Sequence, residues 1–286
     1  MSVSSSSSSA ASSASSSATA SSSASSISSS SSSYAGLIGQ PLDLEGASID
    51  AAWAVTDAGV TYGLNNVANN GVQAPLLVTP GAGGAGSALL YQADAYAGTA
   101  TTQRVEHYMV TAQSLSSGMR YYGWDFKLDL GDSVPSNWVI LHQFRQEGAD
   151  SGSPIGALEL VPGGTTWQMQ FLVRNTDYYF IAGSNGPSGN ALPIWSGSIS
   201  TGSWHRFVIG FNPDASVSGS GQVQLWLDGA QVLNWTGKLG FPAAFLGKTI
   251  YGTYSAHVGI YRAAQPQVLH YTIDNYRRAT QVAGAL

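Results

Sequence analysis

Short runs of alternating or continuous apolar residues, separated by clusters of Gly, Asn, Pro and Ser, recur along the chain from Tyr34 onward. Runs of this kind predict β-strands, because successive side chains of a strand face opposite sides. No segment of helical length combines a 3.6-residue period with capping residues. The predicted strands include 74–78, 121–130, 138–145, 167–173, 205–211, 222–227 and 269–276. Many strands without intervening helices predict antiparallel sheets packed face to face.

The clearest local pattern is a hairpin. Aliphatic residues alternate with Gln or Trp over 222–227, Asp228-Gly229 follows directly, and Val232 and Leu233 begin a second apolar run. Asp-Gly between two alternating runs predicts a two-residue turn. No repeat occurs at a solenoid or propeller period, so those architectures are excluded.

Residues 1–33 differ from the rest because they are almost entirely Ser and Ala. Such a segment has too little apolar surface to offset the entropy of ordering, which predicts a disordered tether. It also lacks a basic start and an apolar block, so no signal peptide is recognisable. Residues 34–286 are predicted to form one large all-β domain.

The amino-acid composition limits the classes of protein to which this chain can belong. Charged residues make up 9% of the chain and Gly occupies 34 positions, so Ser, Thr, Asn and Gln carry much of the surface. This profile is typical of an extracellular or surface-displayed β-protein. A net charge of −5 with 11 Lys and Arg argues against nucleic-acid binding, whereas a few cations in one cleft would suffice for an anionic polysaccharide. The chain has no cysteine for disulfides and no stretch of about 20 apolar residues to span a membrane.

Several aromatic and polar motifs occur in a specific order. They are Arg104-Val-Glu106, Trp124-Asp-Phe-Lys-Leu, Trp138-Val-Ile-Leu-His-Gln-Phe-Arg, Trp204 with Asp228-Gly229, Gly259-Ile-Tyr-Arg and Tyr271-Thr-Ile-Asp-Asn-Tyr. In this order they resemble the heparin-lyase-I-like and glucuronan-lyase-like families of polysaccharide lyases. The resemblance implies a concanavalin-like β-jelly-roll sandwich of two antiparallel sheets, with a glycan cleft on the concave sheet.

The resemblance also implies a reaction, the β-elimination of a polymer that contains uronic acid. The enzyme removes the proton at C5, beside the carboxylate, so hydrogen-bond donors or cations must first neutralise that carboxylate. A base for C5 and an acid for the leaving oxygen are also needed, and one Tyr or a Tyr/His pair can supply both.

Four residues are assigned by this resemblance. Tyr261 stands at the catalytic tyrosine position, and Gln143 matches the glutamine of a Gln-aromatic-His strand. Arg145 stands where the heparin-lyase pattern has that histidine, and His257 stands where a lysine usually precedes the glycine by two residues. Both keep a group that can carry positive charge, but Arg145 cannot act as a base because guanidinium stays protonated.

A third histidine, His107, is similar in placement to a histidine of the glucuronan lyases, which makes that family the nearer relative. Strand alternation sets it opposite Arg104 and Glu106, so all three share the cleft only if a bulge intervenes. The predicted catalytic residues are Tyr261, Gln143, His107 and His257, and the predicted substrate-binding residues are Arg104, Arg145, Tyr254 and Arg262.

Other readings remain open at this point. Tyr261 can be an ordinary strand aromatic, His257 a plain polar strand residue, and Glu106 an ion-pair partner of Arg104. A non-catalytic glycan-binding module or adhesin on the same fold is the main alternative function, and Arg145 favours it. A retaining glycoside hydrolase would need paired carboxylates on a cleft strand, and no such pattern is found. We expect a monomer with no required cofactor. A structural calcium ion is compatible with the available oxygen ligands, but no spacing predicts one.

Overall fold

The structure of the protein is a computed structural model, and it describes residues 36–65, 71–150, 152–181, 184–215 and 219–286. Two large antiparallel sheets pack face to face as a β-jelly-roll sandwich, as predicted. The described ranges contain short 3₁₀ turns but no α-helix. The predicted tether at 1–33 lies outside the described residues.

The strands of the described part are numbered here in chain order. They are β1 (Ser48–Ile49), β2 (Val55–Asp57), β3 (Val60–Tyr62), β4 (Leu76–Val78), β5 (Ala88–Ala93), β6 (Thr102–Ser114), β7 (Arg120–Leu128), β8 (Val139–Gln146), β9 (Gly156–Leu160), β10 (Gln168–Val173), β11 (Phe180–Ile181), β12 (Ser184–Asn185), β13 (Leu192–Ser198), β14 (His205–Asn212), β15 (Gly221–Leu227), β16 (Ala230–Gly237), β17 (Thr253–Ala263) and β18 (Leu269–Ala279). The 3₁₀ turns lie at Ala82–Gly84, Phe245–Gly247 and Val282–Gly284.

One of the two large sheets, called here the cleft sheet, has the strand order β13-β10-β9-β8-β17-β6. The other, called the back sheet, has the order β16-β15-β14-β7-β18-β5-β4. Small sheets of β1-β2-β3 and β11-β12 complete the described part. Sequence neighbours are often separated in a sheet, so residues far apart in the chain meet on one surface.

The predicted strands are confirmed, with boundaries shifted by a few residues at most. The predicted hairpin is confirmed as well, since β15 and β16 pair across the two residues Asp228 and Gly229. Their φ angles of 51° and 81° are both left-handed, as a type I′ turn requires.

Aromatic side chains fill the space between the two sheets. Phe144 of the cleft sheet stacks on Phe211 of the back sheet with ring centres 3.9 Å apart. His142 stacks on Trp124 at 4.8 Å across the same space. Each fully buried aromatic side chain stabilises the fold by about 1.5–3 kcal/mol. Since the aromatic core occupies the inner face of the cleft sheet, its outer face is available for polar groups.

Candidate active site

A cleft of about 980 Å³ lies on the outer face of the cleft sheet. Every strand of that sheet contributes side chains to its lining: Arg104 from β6, Tyr261 from β17, Gln143 and Arg145 from β8, Glu159 from β9, Gln170 and Leu172 from β10, and Pro193 from β13. Neighbouring strands are about 4.8 Å apart, so six strands give the cleft a width of about 24 Å across the sheet.

Strand β8 places two of the predicted residues in this cleft. Gln143 and Arg145 face outward, as alternation predicts, whereas His142 lies in the core. Alternation is interrupted one step earlier, where the pairing of β8 with both neighbours shifts and Leu141 and His142 both face inward. Ile140 therefore also lines the cleft, although it precedes Gln143 by three residues.

Tyr261 is held between two side chains on the cleft floor. It pairs with Arg104 on the neighbouring strand, and the guanidinium carbon of Arg104 lies 3.6 Å from the centre of the tyrosine ring. The ring of Trp138 meets Tyr261 edge-on at 5.0 Å. A cation on one side and an aromatic edge on another fix the orientation of the phenol.

The amide of Gln143 is held by a buried carboxylate. Its Nε2 donates to Glu106, with both carboxylate oxygens at 2.7 Å. The two N–H bonds of a side-chain amide point in different directions. The two oxygens of one carboxylate can therefore share one N–H of Gln143, and the other N–H can donate to a second acceptor. The Arg104–Glu106 ion pair expected from the sequence is present at 3.6 Å. Burial raises the pKa of Glu106 to about 7, against the lowering effects of Arg104 and of the hydrogen bonds.

His257 is neutral and lies beneath the cleft surface. Its Nδ1 is 2.8 Å from the side-chain nitrogen of Asn65, whose oxygen accepts a hydrogen bond from Tyr108. Nδ1 therefore accepts, and Nε2–H donates to the Ser255 hydroxyl at 2.8 Å.

The positive charge predicted at His257 is thus corrected. Burial is the main cause that lowers its pKa, to about 3, and the nearby cations Arg145 and Arg104 lower it further. The side chain is fully buried and does not line the cleft. It supports Asn65, which also reaches Glu106 at 3.4 Å.

His107 lies on the inner face of the cleft sheet, away from the other predicted catalytic groups. Its ring nitrogens are 2.9 Å from the Tyr91 hydroxyl and 2.7 Å from the Trp53 carbonyl oxygen. The pairing of β6 with β17 is regular from Gln103 to Tyr108, so no bulge turns His107 outward. Direct contact with a substrate in the cleft, which the sequence had predicted, is excluded by this placement.

Tyr254 and Arg262 are corrected for the same reason. Both are fully buried on the inner face of β17. The Tyr254 hydroxyl bonds to that of Tyr122 in the back sheet at 2.8 Å. Arg262 donates to the side chain of Gln103 at 2.9 Å and to the Ala93 carbonyl at 3.1 Å. These side chains join elements of the fold and do not reach the cleft.

Other lining residues were not predicted from the sequence: Asn65, Trp138, Glu159, Gln170, Arg174 and Asn190. Glu159 gave a usable signal, because it is the single charged residue in the otherwise apolar strand Gly156–Leu160. Within the described residues, no group of three or more His, Asp or Glu side chains is arranged to hold a metal ion. No helix in that same part is long and apolar enough to cross a membrane.

Two solved structures that align with this chain are both polysaccharide-cleaving lyases by description. The endo-β-1,4-glucuronan lyase from the fungus Trichoderma reesei aligns with a TM-score of 0.55 and 15% identity, over 86% of this chain and 97% of that one. An alginate lyase from Pseudomonas aeruginosa aligns with a TM-score of 0.43 and 15% identity, over 68% of this chain and 83% of that one. The first similarity supports the jelly-roll assignment.

A search of curated proteins found no match to this chain. The family model described as polysaccharide lyase matches residues 76–277. That region extends from β4 into β18 and so contains every strand of the cleft sheet. With well over half of its length matched, the chain belongs to the polysaccharide lyase family.

Proposed function

We propose that the protein cleaves a uronic-acid-containing polysaccharide, with glucuronan as the first substrate to test, by β-elimination. The observation that carries this proposal is the meeting of Tyr261, Gln143, Arg104 and Arg145 in one open cleft. The set supplies a phenol for proton transfer and donors for a carboxylate. The reaction needs both kinds of group.

Tyr261 is proposed as both base and acid. As the phenolate it takes the proton from C5 of the uronate, the C4–C5 double bond forms, and the C4–O bond breaks. The phenol then gives its proton to the leaving oxygen, which returns the tyrosine to its starting state. These steps balance in atoms and charge without a cofactor.

The carboxylate of the sugar is proposed to bind between Gln143 and Arg145, with Arg104 nearby. The N–H of Gln143 that Glu106 does not use is available as a donor, and Arg145 adds charge. Together they stabilise the second negative charge that develops when the C5 proton leaves. His257 is neutral, so its proposed part is to support Asn65 and Glu106 beneath the site.

A polymeric substrate fits the dimensions of the cleft. Its width of about 24 Å across six strands is several times the width of one sugar ring. Glucuronan is chosen first because it is the substrate named for the Trichoderma reesei enzyme that shares the fold. A large external polymer also supports an extracellular or surface-displayed location.

The direct test is to incubate the protein with glucuronan, alginate and other polyuronates and to follow the ultraviolet absorbance of the unsaturated product. We expect absorbance to rise with at least one polymer and Tyr261→Phe to abolish the rise. Tyr251→Phe is the matched control, because Tyr251 is exposed outside the cleft. Folded protein that produces no unsaturated product from any uronate polymer would refute the proposal.

A further inference from the structure

The cleft continues well beyond the groups assigned to the reaction. Ile140 pairs with Glu159 on β9, and Glu159 pairs with Gln170 on β10, so these residues form one row across the sheet. Tyr261 belongs to the same row through its pairing with Ile140. Glu159 is two strands from Tyr261, or about 10 Å at the usual strand spacing. A sugar in contact with Glu159 is therefore a different residue of the polymer from the one being cleaved.

Glu159 is an unusual residue for the wall of a cleft that binds a polyanion. It lines the cleft with only 5% of its surface exposed. It is hydrogen-bonded to Gln170, and burial raises its pKa to about 7. A buried carboxyl is costly without partners. Its position beside an open cleft gives it access to hydroxyl groups of a bound ligand.

Arg174 lies near Glu159, where its charge lowers the pKa of that carboxyl against the effect of burial, and its guanidinium also binds two backbone carbonyls. Its Nε donates to the Asn190 carbonyl at 2.9 Å, and its Nη1 donates to the Pro154 carbonyl at 3.0 Å. Asn190 and Pro154 both line the cleft. The guanidinium therefore links two segments of the cleft wall beside Glu159.

We infer that Glu159 and Gln170 form a second sugar subsite, about 10 Å from the reacting sugar and beyond the reach of a dimer bound there, that binds the hydroxyl edge of a polymer residue and disfavours a carboxylate there. The inference rests on the proposed function. A carboxyl and an amide can each exchange hydrogen bonds with vicinal hydroxyls. A sugar carboxylate in the same place would compete with Glu159 for the charge of Arg174, the cation beside it. The cleft thus presents Arg104 and Arg145 at the reacting sugar, and a carboxyl already partnered by Arg174 two strands away.

Oligouronates of increasing length test this subsite. Their dissociation constants are measured by calorimetry with the full chain carrying Tyr261→Phe, alone and combined with Glu159→Ala or Glu159→Gln. We expect Glu159→Ala to weaken binding of a hexamer about tenfold, the size of one lost hydrogen bond, and to leave binding of a dimer unchanged. Glu159→Gln keeps the shape and removes the charge, so it is expected to bind the hexamer at least as tightly as the parent.

Controls separate the two proposals. Glu45→Ala removes an exposed carboxylate outside the cleft and should change neither constant. Thermal unfolding of both Glu159 variants checks the fold, and Glu159→Gln alone tests the charge if the alanine variant does not fold. Equal effects of Glu159→Ala on dimer and hexamer, or tenfold weaker hexamer binding by Glu159→Gln, would overturn the subsite only. Absence of binding by every oligomer would overturn the proposed function with it.

Discussion

At the scale of single residues, the site depends on a carboxylate that does not itself face the reacting sugar. Glu106 is fully buried, and both of its carboxylate oxygens accept from Nε2 of Gln143, a residue that lines the cleft. An ionised Glu106 accepts from the amide through both carboxylate oxygens. A protonated Glu106 accepts through one oxygen only, and its O–H is a donor that favours the reversed amide. The orientation of Gln143 is therefore coupled to the charge of Glu106.

The first prediction concerns Glu106→Gln. Since the pKa of Glu106 is raised to about 7, the carboxylate forms as pH rises through that value, and we expect kcat of the wild type to rise with it. In Glu106→Gln the amide of Gln143 has lost its charged acceptor, so kcat should fall about tenfold or more with little change in KM. The rise of kcat near pH 7 should disappear in this variant. Rates of product formation from pH 5 to pH 9 measure both effects.

Glu45→Gln is the matched control for this series, because its side chain is exposed and outside the cleft. It should keep the wild-type rate and the wild-type pH profile. An unchanged kcat in Glu106→Gln would contradict the positioning role. A variant that lost kcat but kept the rise near pH 7 would show that another group titrates there.

At the scale of strands, one glycine sets the contact between β17 and β6. Gly259 lies on the cleft face between His257 and Tyr261 and has a φ of 140°. A Cβ atom at this position would lie 2.3 Å from the Val105 carbonyl oxygen and 2.7 Å from the Cα of Glu106. Both neighbours are backbone atoms of a paired strand, so they cannot move aside without opening the sheet.

The second prediction follows for Gly259→Ala. Forcing the two strands apart should lower the free energy of unfolding by about 1–3 kcal/mol, as overpacking does in other cores. It should also lower kcat, because Arg104 on β6 would separate from the ring of Tyr261 on β17. Urea denaturation and product formation measure the two effects. Gly252→Ala, where a Cβ meets nothing within 4 Å, should leave both values unchanged, and equal behaviour of the two variants would disprove the argument.

Strand alternation explains how much of the site could be predicted from the sequence. It correctly sets Gln143 apart from His142 and predicts that His107 is opposite Arg104. The same rule, applied to β17, would have removed Tyr254 and Arg262, which are separated from Tyr261 by odd numbers of residues. The sequence alone therefore contains the information that places these two side chains on the inner face.

Contacts across the sheet could not be predicted in the same way. Glu106 and Gln143 lie on β6 and β8, which never pair and meet only because β17 lies between them. Their hydrogen bond depends on two registers, one of which includes a shift near Tyr261. Glu159 lies in the cleft because of a third register, that between β8 and β9. Alternation within one strand carries no information on any of these.

At the scale of the whole molecule, buried histidines connect stability to pH. Burial lowers the pKa of His107 to about 4 and those of His142 and His257 to about 3, from an ordinary value of 6.5. Each folded-state pKa is below its unfolded value, so unfolding takes up protons. The stability that these neutral side chains contribute is fully present above pH 6.5 and is lost as pH falls toward 3.

Three buried carboxyls act in the opposite direction. Burial raises the pKa of Glu106 and Glu159 to about 7 and that of Asp274 to about 6, from ordinary values of 4.5 and 3.8. The folded state therefore holds these protons more tightly. Their contribution to the free energy of unfolding is fully present below the pKa values of the unfolded chain and is lost as pH rises through 6 to 7. Between about pH 6 and 4.5 the carboxyls offset the histidines.

The third prediction is a free energy of unfolding that changes little from pH 6 to 4.5 and falls steeply below 4.5, where the histidine contribution is no longer offset. Urea denaturation at half-unit steps of pH measures the profile. His142→Phe removes one of the three buried histidines that each take up a proton on unfolding. It should therefore make the fall below pH 4.5 shallower, even if it lowers the free energy of unfolding at pH 7. Tyr251→Phe is the control, because its side chain is exposed and lies outside the core. A steep loss already between pH 7 and 5 would contradict the offset, because it would mean that the three carboxyls do not hold their protons in the folded state at these pH values while the histidines stay neutral.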